Sequence, residues 1–255
     1  HGSWFRYGEN GAVALVAGRL CQSPVPDANF DQLVITATVV GSRTVNITTG
    51  ATAFLVNELA GGYLNIEDDA GEGHCYLIES NPAIATTTAG DITLAPGHGI
   101  KVALTAATTV SVTKHPYKDV IIHPAPATAL PIGVSPSANP IDNFGWFQVK
   151  GAASVLTDLW TGSSVAVARA VFPSITIDGA VGMGRWGTRT SSTAAGDVTL
   201  FVLLEDAAGV NTTTAVGTVA ADTAINIGFT MDMPIGYVME LAVDTEESLV
   251  WLKME

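Results

Sequence analysis

The sequence predicts an all-β fold: two β-sandwich or barrel-like blocks with little helix. Three observations carry that reading. Val, Ile, Thr, Ala and Gly dominate the 255 residues, a composition that suits pleated strands better than helices. Short apolar runs recur along the chain, separated by Gly, Pro, Asn and Asp clusters that break strands and make turns. The clearest case is residues 60–83, AGGYLNIEDDAGEGHCYLIESNPA, where two apolar runs flank an acidic, Gly-rich connection. That pattern reads as a β-hairpin, stopped by Asn81-Pro82 because proline cannot donate to a ladder.

Taken in order, residues 1–12 place Trp4, Phe5 and Tyr7 in a Gly-rich arm without periodicity. Exposing aromatics in a flexible end is costly, so the arm packs on its own domain or on a partner. Residues 12–20 lean to strand, and Pro24 and Pro26 mark a loop. Strand and turn then alternate: 33–40, a Gly41-Ser42 turn, 44–48, a short strand or helical turn over 51–60, and the hairpin. After Pro82 come a Thr-rich loop, 91–94, a turn at 96–99, 100–104 and 110–113. Such spacing suggests a sandwich or barrel. His-Pro pairs flank 120–122, and the prolines that follow place a domain junction near residue 126. The expected organisation is therefore an arm over 1–32, a first β domain over 33–125 and a second over 126–255. In the second, strands are expected at 144–149, 154–156, 165–171, 175–177, 197–204, 225–229 and 249–252. One internal echo is present: Leu130-Pro-Ile-Gly-Val134 and Met233-Pro-Ile-Gly-Tyr237 each precede a strand carrying a tryptophan, Trp146 and Trp251. It marks two corners of similar geometry or an old duplication.

Charge narrows function. Twenty-four acidic residues against 11 basic ones give a net charge of −13, which argues against nucleic acid, whose phosphates need Lys and Arg. No basic amphipathic segment suits an anionic membrane, and no apolar run reaches the ~18–20 residues of a span. The N-terminal residues lack the basic start and apolar core of a secretory signal. Cys21 and Cys75 make no disulfide framework and are expected as isolated thiols.

Candidate chemistry sorts out case by case. GMGRWG at 182–187 matches the dinucleotide fingerprint, but TRTSSTAAGD after it does not hold the helix that motif needs. Arg185 and Trp186 in that loop remain candidate contact residues. The five histidines show no zinc spacing. No nucleophile elbow or P-loop appears. EDDAGEG lacks the oxygen order of a calcium loop. Asn46-Ile-Thr48 and Asn211-Thr-Thr213 fit the glycosylation pattern, frequent by chance in a Thr-rich chain. No catalytic constellation, metal site or cofactor is expected.

GGYLNIEDDAGEGHCYLIESNPA, followed by GDITL and VTKHPYKDVIIHP, resembles an uncharacterised family of tailed-bacteriophage virion structural proteins. LPIGV…FGWFQVKGAASVL, DGAVG at 178–182 and the closing PIGY…VWLKM look like the same family, so the resemblance spans roughly residues 33 to 255. The last part is also similar to capsid decoration proteins. The resemblance implies a non-enzymatic head decoration or cement protein that binds the outer surface of the capsid. Its implied partners are the major capsid protein and further copies of itself, a trimer being the first expectation. Its implied location is the virion exterior, after synthesis in the host cytoplasm. Trp4, Phe5 and Tyr7 are the candidate anchoring contact. The alternative is a host- or glycan-binding module of a tail or surface adhesin, with Trp160 and Trp186 as contact residues.

Overall fold

The computed structural model describes residues 2–158, 170–174, 176–183, 198–205, 211–219, 235–240 and 246–254. The strands among these residues are β1 (Trp4–Glu9), β2 (Arg19–Gln22), β3 (Leu33–Val34), β4 (Thr44–Thr48), β5 (Tyr63–Ile66) and β6 (Cys75–Ser80), then β7 (Ala89–Leu94), β8 (Thr109–Thr113), β9 (Ile121–Ile122), β10 (Pro131–Ser135), β11 (Phe144–Asp158) and β12 (Ala170–Pro173), and finally β13 (Val181–Met183), β14 (Val198–Glu205), β15 (Asn211–Val219), β16 (Gly236–Glu240) and β17 (Glu247–Lys253). Helix among the described residues is confined to one 3-10 turn, Ala28–Phe30, capped by Asp27. The chain is thus all-β with barrel-like sheets, as the composition requires. Residues 1–183 with 233–255 form one compact unit, and 184–232 form another.

The first sheet runs β3-β8-β5-β6-β7-β4, every pair antiparallel. Ile35, just past β3, bridges Ile47 of β4 and closes the sheet on itself. Period-two alternation fills the interior: Val45 and Ile47, Leu64 and Ile66, Tyr76 and Ile78, Ile92 and Leu94, Val110 and Val112 all point into one core. Phe30 and Phe54 meet there edge to face, 4.8 Å between centroids. The expected hairpin is β5–β6, with Leu64 opposite Tyr76 and Asn65 opposite Cys75. Asp69, Gly71 and Gly73 take positive φ in its turn, the left-handed conformation that glycine adopts at no steric cost.

Two reciprocal hydrogen-bonded bridges lock this barrel. Phe54 and Ile84 exchange both main-chain bonds, as do Thr38 and Leu104. Each of the four residues leads through a tight turn into a strand: β4, β5, β7 or β8. Since β4 pairs β7 and β5 pairs β8, the two halves of the barrel repeat one device. Leu15 and Asn139 make the same reciprocal bridge in the second sheet. The segment 51–60 accordingly resolves as a bridge residue and a turn, and 12–20 as a bridge, a turn and the start of β2.

The second sheet runs β13-β12-β16-β17-β11-β10-β2-β9, with β1 added to β11. A parallel pairing of β13 with the end of β11 closes five of these strands into a ring. One core cluster, around Val155, Val171, Val238 and Val250, is built mainly from this ring's strands, and a second, around Leu15, Cys21, Ile132 and Phe147, draws on β2, β10 and β11. The strands expected at 144–149 and 154–156 are one strand, β11, which passes through Gly151 at φ 93°. Of the strand expected at 175–177, residue 175 lies outside the described residues, and Thr176 and Ile177 form a bend. The residues before 33 supply β1 and β2 to this sheet. The described glycines of the Pro-Ile-Gly echo fall on β10 and β16, each beside its tryptophan strand, while Met233 and Pro234 lie outside the described residues. At both glycines a Cβ would press on the neighbour, 3.0 Å from the Gln148 carbonyl oxygen and 2.5 Å from that of Trp251. Close strand approach therefore requires glycine at both corners. The expected strand at 225–229 and most of that at 165–171 lie outside the described residues.

In the second unit, β14 and β15 form an antiparallel ribbon from Val198 opposite Val219 to Glu205 opposite Asn211.

Candidate interaction surface

The aromatic arm is a strand. β1 pairs with the first half of β11, setting Tyr7 opposite Trp146 and Glu9 opposite Phe144. Its far end is pinned: the Glu9 amide donates to the Tyr117 carbonyl at 2.8 Å, and the Val120 amide donates to the Glu9 carbonyl at 2.9 Å. Gly8 permits this, because a Cβ there would meet the Tyr117 carbonyl oxygen at 2.6 Å. Over Trp4–Tyr7, β1 pairs with β11 alone among the described residues, and is an edge strand.

Backbone pairing leaves its rings outside. Trp4, Phe5 and Tyr7 stay 51 %, 43 % and 56 % exposed. Tyr7 stacks on Phe144 (5.6 Å, 10° between planes) and tilts against Trp146 (5.0 Å). The Lys150 ammonium sits 4.2 Å over the Trp4 ring, a cation–π contact. A groove of about 710 Å3 beside β1 is lined by Trp4, Arg6, Tyr7, His115, Tyr117 and Met254.

The same face continues along β11. Alternation turns Phe147, Val149, Ala153 and Val155 inward and Phe144, Trp146, Lys150 and Ala152 outward. Lys150 stands directly opposite Lys253 on β17, Ala152 opposite Trp251, and Trp251 opposite Tyr237 on β16. Tyr237, Met239 and Trp251 are exposed. Two aromatic clusters with a lysine pair between them thus form one strip.

Of the three arm aromatics, Trp4 and Tyr7 line one groove, with Lys150 against Trp4 and with Phe144 and Trp146 against Tyr7; Phe5 is exposed on the same strand, and Tyr237, Trp251 and Lys253 are exposed on β16 and β17. A period-two reading of FGWFQVK and SLVWLK shows those additional residues sharing a face; which face stays outside depends on long-range pairing. Arg185, Trp186 and Trp160 lie outside the described residues.

Elsewhere, ionisable groups serve the fold. Asp69 accepts from Thr105 Oγ1 at 2.5 Å and from Thr108 Oγ1 at 3.3 Å. The Thr105 bond leads in holding its carboxyl below the usual range. Lys114 bridges Glu58 and Asp119, each at 2.7 Å. Burial pulls its pKa down, but bonds to Asp119 and Glu58 outweigh that and raise it. His98 Nδ1 accepts from the Leu77 amide at 3.3 Å. Cys21 is buried and Cys75 exposed, both free thiols, and burial pushes the Cys21 thiol up to about 12. A second cavity, about 610 Å3, has Asp27, Asp31, Glu67 and Lys114 on its wall. The Ser111 hydroxyl first, then Glu67, holds Asp31 low. Among the described residues no group of three His, Cys, Asp or Glu is placed to hold a metal ion. No helix among them is long and apolar enough to cross a membrane.

Comparison with known proteins gives no match to any family model, curated protein or solved structure.

Proposed function

We propose that the chain is a non-enzymatic virion structural protein, a head decoration or cement protein that binds the outside of a tailed-phage capsid. The observation that carries this reading is the placing of aliphatic side chains in the bridge turns. Val39 and Val40 follow the bridge residue Thr38 and are 73 % and 61 % exposed; Leu55 and Val56 follow Phe54 and are 70 % and 64 % exposed. Val16 after Leu15 and Ile141 near Asn139 repeat the arrangement in the second sheet. Adjacent aliphatic pairs at equivalent turns leave contiguous apolar surface in water, which marks contact sites. A protein that seats on several neighbours gains affinity from many modest contacts of this kind. Its acidic surface suits a shell exterior, where no DNA is touched. Homo-oligomerisation and capsid binding both draw on these turns.

Co-sedimentation with empty capsid shells of the source particle tests the reading. Val39→Asp with Val40→Asp, and Leu55→Asp with Val56→Asp, are expected to weaken binding at least tenfold while the circular dichroism spectrum stays that of the parent. Undiminished binding by both double variants would contradict it.

A further inference from the structure

We propose that the strip running from Phe144 and Trp146, across Lys150 and Lys253, to Trp251 and Tyr237 is a binding site for an acidic polysaccharide. This rests on the strip alone and not on the capsid reading; it gives Trp4 and Tyr7 an occupant other than a shell subunit.

The lysine pair is the first argument. Lys150 and Lys253 are direct cross-strand partners, and like charges so placed repel. Neither makes an ion pair among the described residues, in a chain where acids outnumber bases 24 to 11. Their described neighbours are aromatic: Trp4 lies against Lys150, and Trp251 stands two residues before Lys253 on β17, opposite Ala152. Two ammonium groups around one gap suit a carboxylate or sulfate that accepts from both.

Shape is the second argument. Trp146 and the Trp251 row are six residues apart along β11, about 20 Å at the usual strand rise. The strip is long, narrow and one to two strands wide. Under the lysine and Trp251 rows, β11 and β17 are paired on both sides, so a polypeptide laid across that part of the face would gain no ladder bonds. Side chains are what it offers, namely apolar ring surface at both ends and positive charge between. Pyranose rings present apolar C–H faces to aromatic side chains, and a uronic acid adds a carboxylate at the sugar rim. An extended acidic glycan matches both features along one line. A second copy seated by its own strip around a twofold axis would set four ammonium groups near each other.

The test uses the full chain in affinity electrophoresis and biolayer interferometry. Probes are polygalacturonate, alginate and hyaluronate, with methyl-esterified pectin as the uncharged counterpart and poly-L-glutamate as the acidic polypeptide. Expected are binding to at least one acidic polysaccharide, weakening with salt, and no comparable binding to the ester. Lys150→Gln with Lys253→Gln, and separately Trp251→Ala, lower affinity at least tenfold. Because both lysine side chains lie on the outer face, the lysine variant decides the matter if Trp251→Ala misfolds. Failure to bind all three acidic polysaccharides overturns the proposal, as does unchanged binding by the lysine variant. Equal or tighter binding of poly-L-glutamate overturns it in favour of an acidic protein partner. Self-association in the absence of polymer that the lysine variant abolishes overturns it in favour of a second copy.

Discussion

His123 shows how a single buried side chain sets a pH response. It is 1 % exposed, and among the described residues its Nε2 has no hydrogen-bond partner. Burial holds its pKa below the ordinary histidine value, against smaller opposing effects from the Pro124 and His123 backbone and Asp178. A depressed folded pKa means the fold prefers the neutral ring. Its contribution is complete above the unfolded value of about 6.5 and is lost as pH falls toward the folded one. His115, also lowered by burial, acts in the same direction. The urea midpoint is therefore expected to fall as pH drops from about 7 to about 5, with a shallower fall in His123→Asn. Parallel curves for the two proteins would contradict this. Asp69 works at lower pH by the same sign: its stabilisation is present above the ordinary carboxylate range and disappears as acid protonates it. Asp69 also holds φ 60°, which Asn tolerates and β-branched residues do not. Amide exchange at Gly71 and Gly73 should quicken more in Asp69→Val than in Asp69→Asn.

At the scale of the element, the barrel halves depend on close packing at the bridge residues. Phe54 is fully buried against Phe30 and exchanges main-chain bonds with Ile84. Phe54→Ala is expected to cost about 3–5 kcal/mol, the range for truncating a buried aromatic, measured by urea unfolding. Gly62 is a sharper case: a Cβ there would stand 1.9 Å from the Thr113 carbonyl oxygen. Gly62→Ala should cost at least about 1–3 kcal/mol, because backbone rather than a movable side chain must yield. A loss under that range would show that β5 and β8 are looser than described. The hairpin β5–β6, its acidic turn and the buried alternation of Leu64 and Ile66 were legible in sequence, since turn residues and a period of two are local signals. The reciprocal bridges were not. Thr38 with Leu104 and Phe54 with Ile84 pair across dozens of residues, and an isolated bridge leaves no run to read. Gly151 hid the length of β11 for a related reason, since a glycine among strand residues reads as an end when only neighbours are considered. The arm's aromatics were legible as candidate contacts, whereas their pairing with β11 and their union with Trp251 depend on register.

For the whole molecule, the capsid-exterior proposal draws on an all-β chain with two locked sheets, net charge −13 and aliphatic pairs on repeated turns. A protein of this kind presents several faces at once. In the two proposals the bridge turns supply aliphatic contacts to shell subunits, and the aromatic strip takes an elongated ligand. These assignments predict separable variants: aspartates at Val39 and Val40 weaken shell binding at least tenfold and leave polysaccharide binding intact, and glutamines at Lys150 and Lys253 do the reverse. The most direct measurement is a cryo-electron microscopy map of the source virion. Density fitting this chain on the outer surface of the head, in contact with shell subunits through the bridge turns, is the predicted result. Density confined to the tail, or a complete particle without this chain, would contradict it.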